Sequence, residues 1–206
     1  MKELFLLSGL GADKRVFEFL DLSTFKLNYI EWVEPIRNEP IEAYAKRLLP
    51  QITKANPIIL GVSFGGMMAI EIGKLIPTEK IILISSAKAQ TEIPFYYQLI
   101  GRTGIHKLVP PQLLKHMPFA NWFFGTQNED ERKLLKSFIH DTDKKFLAWA
   151  IDKIVRWRNK TILSNIIHIH GTNDRLLPSK KADHLIKGAG HFMIVNRAPE
   201  ISKIIR

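Results

Sequence analysis

Ser63, Asp174 and His191 are the residues of this chain whose types and settings could do chemistry together. Ser63 is the centre of Gly61-Val62-Ser63-Phe64-Gly65, a Gly-x-Ser-x-Gly pattern. Upstream, Pro57-Ile58-Ile59-Leu60 is a short apolar run, β-branched in its middle, that reads as a buried strand. Downstream, residues 64–75 favour a helix, with a stop at Pro77. A strand that turns sharply into a helix strains the corner residue and lifts its side chain above the sheet, and small neighbours leave room for the turn. Ser63 is therefore a candidate nucleophile. A serine hydroxyl needs a base, a group that orients the base, and donors for the oxyanion. His191, in the glycine-rich Gly188-Ala189-Gly190-His191-Phe192, can be the base. Asp174, in Gly171-Thr172-Asn173-Asp174-Arg175, can orient it. The chemistry implied is acyl transfer.

The elements needed to bring these residues together are legible as alternation. Strands are predicted over residues 4–7, 27–32, 57–62 and 80–85, with helices near 14–20 (Asp13 as N-cap), over 41–54 (shortened or kinked by Pro50) and over 64–75. Strand-helix alternation predicts a parallel sheet with helices on both faces. The pattern lapses over residues 88–160, which are rich in aromatics and divided by turns at Pro94, Gly101, Gly104, Pro110-Pro111, Pro118 and Gly125. Residues 129–140 and 143–157 are expected to be its longest helices. The strand pattern resumes at 165–170, with a short strand near 184–187 and a final helix over 199–205 that starts at Pro199. Residues just past the carboxyl ends of parallel strands collect along one edge. Ser63 and Asp174 each follow a strand directly. If residues 4–7 run parallel, Gly9-Leu10-Gly11 reaches the same edge, and the N–H groups of Leu10 and Phe64 become the candidate oxyanion donors.

In chain order, Ser63, Asp174 and His191 resemble the nucleophile, acid and histidine of the α/β-hydrolase family. Ser8-Gly9-Leu10-Gly11 stands where that family usually has a His-Gly-x oxyanion segment. His168-Ile169-His170-Gly171-Thr172-Asn173-Asp174-Arg175-Leu176-Leu177-Pro178 resembles its acid-bearing strand and loop, and Gly188–Phe192 resembles its histidine loop. The resemblance covers nearly the whole chain. It implies a three-layer α/β sandwich, with a core of residues 1–87 and 161–206 and a helical cap insertion of residues 88–160. It also implies a serine esterase activity with an acyl-enzyme and no cofactor. The same constellation serves thioesters, amides and some carbon–carbon bonds. The chain departs from the family in starting at the strand counted third, in Ser8 replacing histidine, and in the short spacing between Asp174 and His191, which leaves little room for a helix between the last two strands.

Competing readings attach to particular residues. Asp174 could be a turn residue or an ion-pair partner of Arg175, with Asp183 as rival acid. His168 and His170 sit on one strand face like a metal pair, but no Cys is present and no third ligand adjoins them, so no metal is expected. His106, His116, His140 and His184 lack a glycine-loop setting. The Gly9-Leu10-Gly11-Ala12-Asp13-Lys14 turn, with Glu31 and Glu34 ending the next strand, has the outline of a dinucleotide fingerprint, but Lys14 takes the third glycine position. A non-catalytic scaffold that binds a small ligand is the third class. For an apolar substrate pocket the candidate liners are Leu10, Phe64, Phe95, Trp122, Phe123 and Trp149, the remaining aromatics filling the helical core.

The bulk numbers agree with one soluble domain of 206 residues. Zero cysteines exclude disulfides and thiolate chemistry. The net charge of +10 sits in the later half, with 12 basic and 7 acidic residues over 91–160 and 7 and 3 over 161–206. No nucleic-acid motif or dense basic block accompanies it, so it reads as a solvated basic surface. No run spans a bilayer and no signal sequence is evident. The expected setting is cytoplasmic, and the expected partner is a small-molecule substrate rather than nucleic acid.

Overall fold

The structure, a computed structural model, describes residues 1–110 and 119–206; Pro111, His116 and Pro118 lie outside that range. Among the described residues, six strands form one parallel sheet: β1 (Lys2–Leu7), β2 (Phe25–Tyr29), β3 (Ile58–Val62), β4 (Lys80–Ile84), β5 (Ile166–Gly171) and β6 (His184–Ile186). Their order across the sheet is β2-β1-β3-β4-β5-β6. The helices are α1 (Ile41–Leu48), α2 (Phe64–Leu75), α3 (Phe95–Thr103), α4 (Ala120–Phe124), α5 (Glu129–Asp141), α6 (Lys144–Arg156), α7 (Met193–Asn196) and α8 (Ala198–Ile205).

Successive side chains on a strand point to opposite faces, so a strand covered on both faces must be apolar throughout. That is why the buried stretches of β1 (Leu4–Leu7), β3 (Ile58–Val62) and β4 (Ile81–Ile84) carry no polar side chain. Leu4, Leu6, Ile58, Leu60, Ile82 and Ile84 pack on one face, against Phe17, Phe192 and the α8 residues Ile201 and Ile205. Phe5, Leu7, Ile59, Ile81 and Leu83 pack on the other, against Tyr44 of α1, Met67 and Ile70 of α2, and Phe146 and Ala150 of α6. The sheet is thus the middle of three layers.

Local chemistry sets the boundaries. α1 stops at Leu48, short of the expected residue 54, and a 3-10 turn over Leu49–Gln51 carries Pro50, whose ring cannot continue the helix. β2 sits earlier than expected because the chain leaves the sheet after Ile30, whose amide donates to the Leu6 carbonyl. Trp32 then turns inward, its Nε1–H donating to Ser8 Oγ. Asp13 caps a single 3-10 turn over Lys14–Phe17 rather than a full helix. No helix separates β5 from β6. All six strands end on the same edge, and the loops there carry Ser8-Gly9, Ser63, Ser86, Asp174 and His191.

Candidate active site

The corner between β3 and α2 holds Ser63 at φ 52° and ψ −119°, a positive-φ backbone conformation that strains any residue with a side chain. Such a residue costs about 1–3 kcal/mol and persists only where its surroundings over-determine it. They do so here. The Ser63 N–H donates to the Ile84 carbonyl at 2.9 Å, and the Ser63 carbonyl accepts from Gly66 N–H at 2.9 Å and from Ser86 Oγ at 2.7 Å. A side chain at Gly61 would collide with the Gly65 carbonyl, and one at Gly65 would collide with the Leu7 and Ser8 carbonyls. The two glycines therefore let helix, strand and the β1 loop meet around the serine.

Two loops bring ring and carboxylate to that corner. His191 Nε2 is 2.9 Å from Ser63 Oγ, and His191 Nδ1 is 2.7 Å from Asp174 Oδ2. Asp174 Oδ1 accepts the amides of Leu176 and Leu177, each at 2.9 Å. Burial alone would raise the Asp174 carboxyl, but His191 beside it and the hydrogen bond from His170 hold it well below the usual carboxylate range. The ring needs its proton on Nδ1, facing the carboxylate, and offers Nε2 to the hydroxyl. His191 is fixed from behind by Phe124, whose ring lies edge-on at 5.5 Å, and by Phe192 N–H donating to the Phe124 carbonyl at 2.8 Å.

The turn after β1 faces the same corner. Ser8 Oγ donates to the Ala12 carbonyl at 2.8 Å and accepts from Trp32, which fixes the Gly9–Ala12 turn. Among the described residues, neither the Leu10 nor the Phe64 amide has a protein acceptor. A Cβ on Gly9 would lie 3.3 Å from Ser63 Cβ, so this turn packs closely against the serine. Glu34, one of the two acids in the dinucleotide reading, instead pairs with Lys145 at 2.8 Å.

Ser63 and His191 open onto a cavity of about 290 Å³ whose described walls include Leu10, Tyr97, Phe124, Leu135, Phe138 and Ile151. Of the six liners expected from sequence, the structure places Leu10 on this wall. Phe64 is fully buried and packs on Trp32, Phe146 and Trp149. Trp149 donates its Nε1–H to the Glu39 carbonyl and stacks on Tyr44 at 4.3 Å. Phe95 and Trp122 face outward, 78% and 55% exposed, Trp122 lying under the Arg175 guanidinium at 4.4 Å. Phe123 packs edge-on against Trp122. These rings hold helices to the sheet or face outward, so the walls fall largely to aliphatic side chains that a search for aromatics passes over.

Other expected groups have different partners. Asp183 accepts the backbone N–H of His168 at 2.8 Å, which ties the start of β6 to β5. Arg175 donates to the Trp122 carbonyl at 2.8 Å rather than to Asp174. His168 and His170 face each other, fully buried, 3.1 Å apart, and His170 also reaches Asp174. Among the described residues no group of His, Asp and Glu side chains is arranged to hold a metal, and no helix is long and apolar enough to cross a membrane. Sequence reading gave no role to Ser86 or Tyr97 and weighed His170 only as half of a metal pair; Ser86 left a signal as the second serine after β4, at the same edge.

No family model matches the chain, and none of the curated proteins matches it. Solved structures do. An esterase from Thermogutta terrifontis superposes with a TM-score of 0.70 at 12% identity, over 100% of this chain and 88% of its own. The enol-lactonase from Burkholderia xenovorans LB400 gives 0.70 at 17%, over 99% and 89%. MenH from S. aureus gives 0.71 at 16%, over 99% and 91%.

Proposed function

With an α/β-hydrolase fold established for the chain, we propose that it is a serine hydrolase acting on a small, apolar carboxylic ester. The observation that carries this reading is the continuous line from Ser63 Oγ to His191 Nε2 at 2.9 Å and from His191 Nδ1 to Asp174 Oδ2 at 2.7 Å, set at the wall of an apolar cavity.

Ser63 attacks the ester carbonyl while His191 Nε2 takes its proton. Asp174 keeps the Nδ1 proton in place and stabilises the imidazolium that forms. Charge developing on the carbonyl oxygen is met by the Leu10 and Phe64 amides, which have no other acceptor and therefore cost no reorganisation. His191 then protonates the leaving alcohol, and a water activated by the same ring releases the acid from the acyl-enzyme. The segment of residues 88–160 acts as a cap: Tyr97, Phe124 and Leu135 supply cavity wall and exclude water. At about 290 Å³ the cavity lies near the lower end of ligand pockets, about 300–1,000 Å³, which favours a short or medium acyl group.

The test is a fluorophosphonate probe followed by a panel of p-nitrophenyl esters and acyl thioesters. The probe is expected to label Ser63 alone, with labelling abolished in Ser63→Ala and esters turned over faster than thioesters. Specific ligand binding by a protein that never reacts with the probe would instead indicate a non-catalytic scaffold.

A further inference from the structure

Behind Asp174 a buried polar chain continues into the sheet, and its proton positions can be read from its neighbours. His168 Nε2 lies 3.0 Å from the Ser86 carbonyl, an acceptor, so Nε2 carries the His168 proton. The same Nε2–H points at His170 Nδ1, 3.1 Å away, which must therefore be the lone-pair nitrogen. The His170 proton is then on Nε2, where two acceptors wait: the Leu177 carbonyl at 2.7 Å and Asp174 Oδ2 at 3.3 Å. The remaining nitrogen, His168 Nδ1, has no hydrogen-bond partner, the Glu92 carboxylate being 4.0 Å away. Burial, then His170 and Lys88, push the His168 ring down to about 3, so it stays neutral. The donors of the chain thus lead toward Asp174: from one side His168 donates to His170, whose Nε2–H donates to the Leu177 carbonyl and lies 3.3 Å from Asp174 Oδ2; from the other, Ser63 reaches His191 and His191 reaches Asp174.

We propose that His170 is a positioning residue for Asp174: its Nε2–H, oriented by His168 and held by the Leu177 carbonyl 3.3 Å from Oδ2, offsets part of the charge on the oxygen that His191 binds and so sets how strongly the carboxylate holds the imidazolium. The proposal rests on the hydrolase reading above. Two observations separate it from ordinary core packing. Oδ2 is the one oxygen that touches both rings, while Oδ1 is taken by the Leu176 and Leu177 amides. The His170 bond to the Leu177 carbonyl also pins the loop of residues 172–183, which has no helix of its own and carries a cavity-wall residue, Leu177.

The sign of the effect follows from charge. A donor on Oδ2 draws off part of the negative charge that His191 feels. Without that donor the carboxylate holds the imidazolium more tightly, the neutral base is populated only at higher pH, and the acid limb of the rate profile moves up. The other ionisable groups around the chain are Glu92, whose Oε2 is 4.0 Å from His168 Nδ1, Asp183 on the His168 amide, Lys88 bonded to the Lys181 carbonyl, Arg175 turned to Trp122, and Tyr97 across the cavity. None of them donates to Oδ2, so none replaces His170.

The experiment has two parts. Long-range proton–nitrogen spectra of the wild-type protein read the ring tautomers directly, with protons expected on Nε2 of His168 and of His170 and on Nδ1 of His191. The rate of fluorophosphonate labelling against pH is then measured for wild type, His170→Leu and His170→Gln. His170→Leu is expected to move the acid limb upward by about one pH unit, the size of one charge-assisted hydrogen bond. His170→Gln, which keeps an N–H donor, is expected to restore most of it. A merely structural role would lower the rate at every pH and leave the limb in place; that result in a folded His170→Leu protein overturns the proposal. So does a proton on His170 Nδ1. Absence of labelling in wild type with the tautomers intact would instead remove the hydrolase reading and, with it, any catalytic meaning of the chain.

Discussion

The strand-edge loops and the helical segment between β4 and β5 are held in opposite ways. Around Ser63, Asp174 and His191 the polar atoms are paired, several with distant parts of the chain, and the Asp174 and His191 side chains are buried. In the segment that carries α3 and α4, Phe95, Leu108 and Phe119 are 78%, 81% and 76% exposed. The edge is over-determined, so strain can be stored there at Ser63. Among the described residues, the helical segment is tied to the rest mainly through α6, where Phe146 and Ala150 pack on the sheet face, and through Phe124 and Gly125 on the His191 loop. Under the proposed function, catalytic geometry belongs to the first region and choice of substrate to the second. Changes in the edge are therefore expected to alter rate by orders of magnitude, and changes in the segment to alter preference or stability by small factors.

The largest effect is expected at the acid. Asp174→Asn keeps the shape but cannot stabilise the imidazolium and favours the wrong ring tautomer, so kcat is expected to fall by up to ~10⁴-fold, as for the equivalent change in serine proteases. Asp183→Asn removes an acceptor for the His168 amide and is expected to cost stability with little loss of kcat. A steady-state comparison of the two variants with one ester decides the matter; the reverse ranking would move the acid to Asp183.

The strain at Ser63 gives an intermediate effect. Ser86→Ala removes the 2.7 Å bond to the Ser63 carbonyl and leaves that oxygen with the two helix amides. A net loss of about 1 kcal/mol in stability is expected, with kcat reduced about tenfold as the corner relaxes. Chemical denaturation and kcat measured on the same preparation separate the two. Unchanged kcat at reduced stability would mean that the corner is rigid without Ser86.

The cavity tests the other side of the comparison. Each methylene that enters an apolar wall contributes up to about 0.8 kcal/mol, or nearly fourfold in kcat/KM. Across p-nitrophenyl esters of increasing acyl length, activity is expected to climb over a few carbons and then drop where the cavity ends. A flat series would show that Leu135, Phe138 and Ile151 fill core instead of receiving substrate.

How far the sequence reached follows the same division. The β3–α2 corner was legible because it is local: an apolar run, two glycines and a helix whose bounds, Phe64–Leu75, agree with the structure. Asp174 and His191 could be picked because each sits in a glycine-bearing loop at a strand end, and the structure puts His191 within hydrogen-bond reach of the corner and Asp174 within reach of His191. The cavity wall could not be read in this way. Helical periodicity gives the buried face of α3 or α5 but not whether that face meets side chains or a cavity. Phe64 and Trp149 went instead to the cluster around Tyr44 and Phe146. The His168–His170 pair had the spacing of a metal site, and only the placement of Ser86 and Leu177 carbonyls beside the rings reveals a hydrogen-bond chain.

The smallest effect is expected where the helical segment is pinned by charge. Asp152 on α6 is met by His106 Nε2 at 2.9 Å, Lys153 Nζ at 2.9 Å, Arg156 Nε at 3.1 Å and Lys107 Nζ at 3.6 Å. Burial works to raise its carboxyl, but the hydrogen bonds from His106 and Lys153 pull it down to about 2. A carboxyl depressed in the folded state contributes stability that is complete above its ordinary value near 4 and is lost as pH falls toward 2. Asp152→Asn removes that contribution at neutral pH, where its loss is expected to lower Tm by about 2–4 °C, modest because such ion pairs are partly solvated. The wild-type and variant curves of Tm against pH are then expected to converge between about pH 4 and pH 2. Ester kcat near neutral pH is expected to change less than twofold, since no atom of this cluster reaches Ser63. A large fall in kcat with Tm unchanged would mean that the helical segment and the strand edge are mechanically coupled, and the division of labour between them would fail.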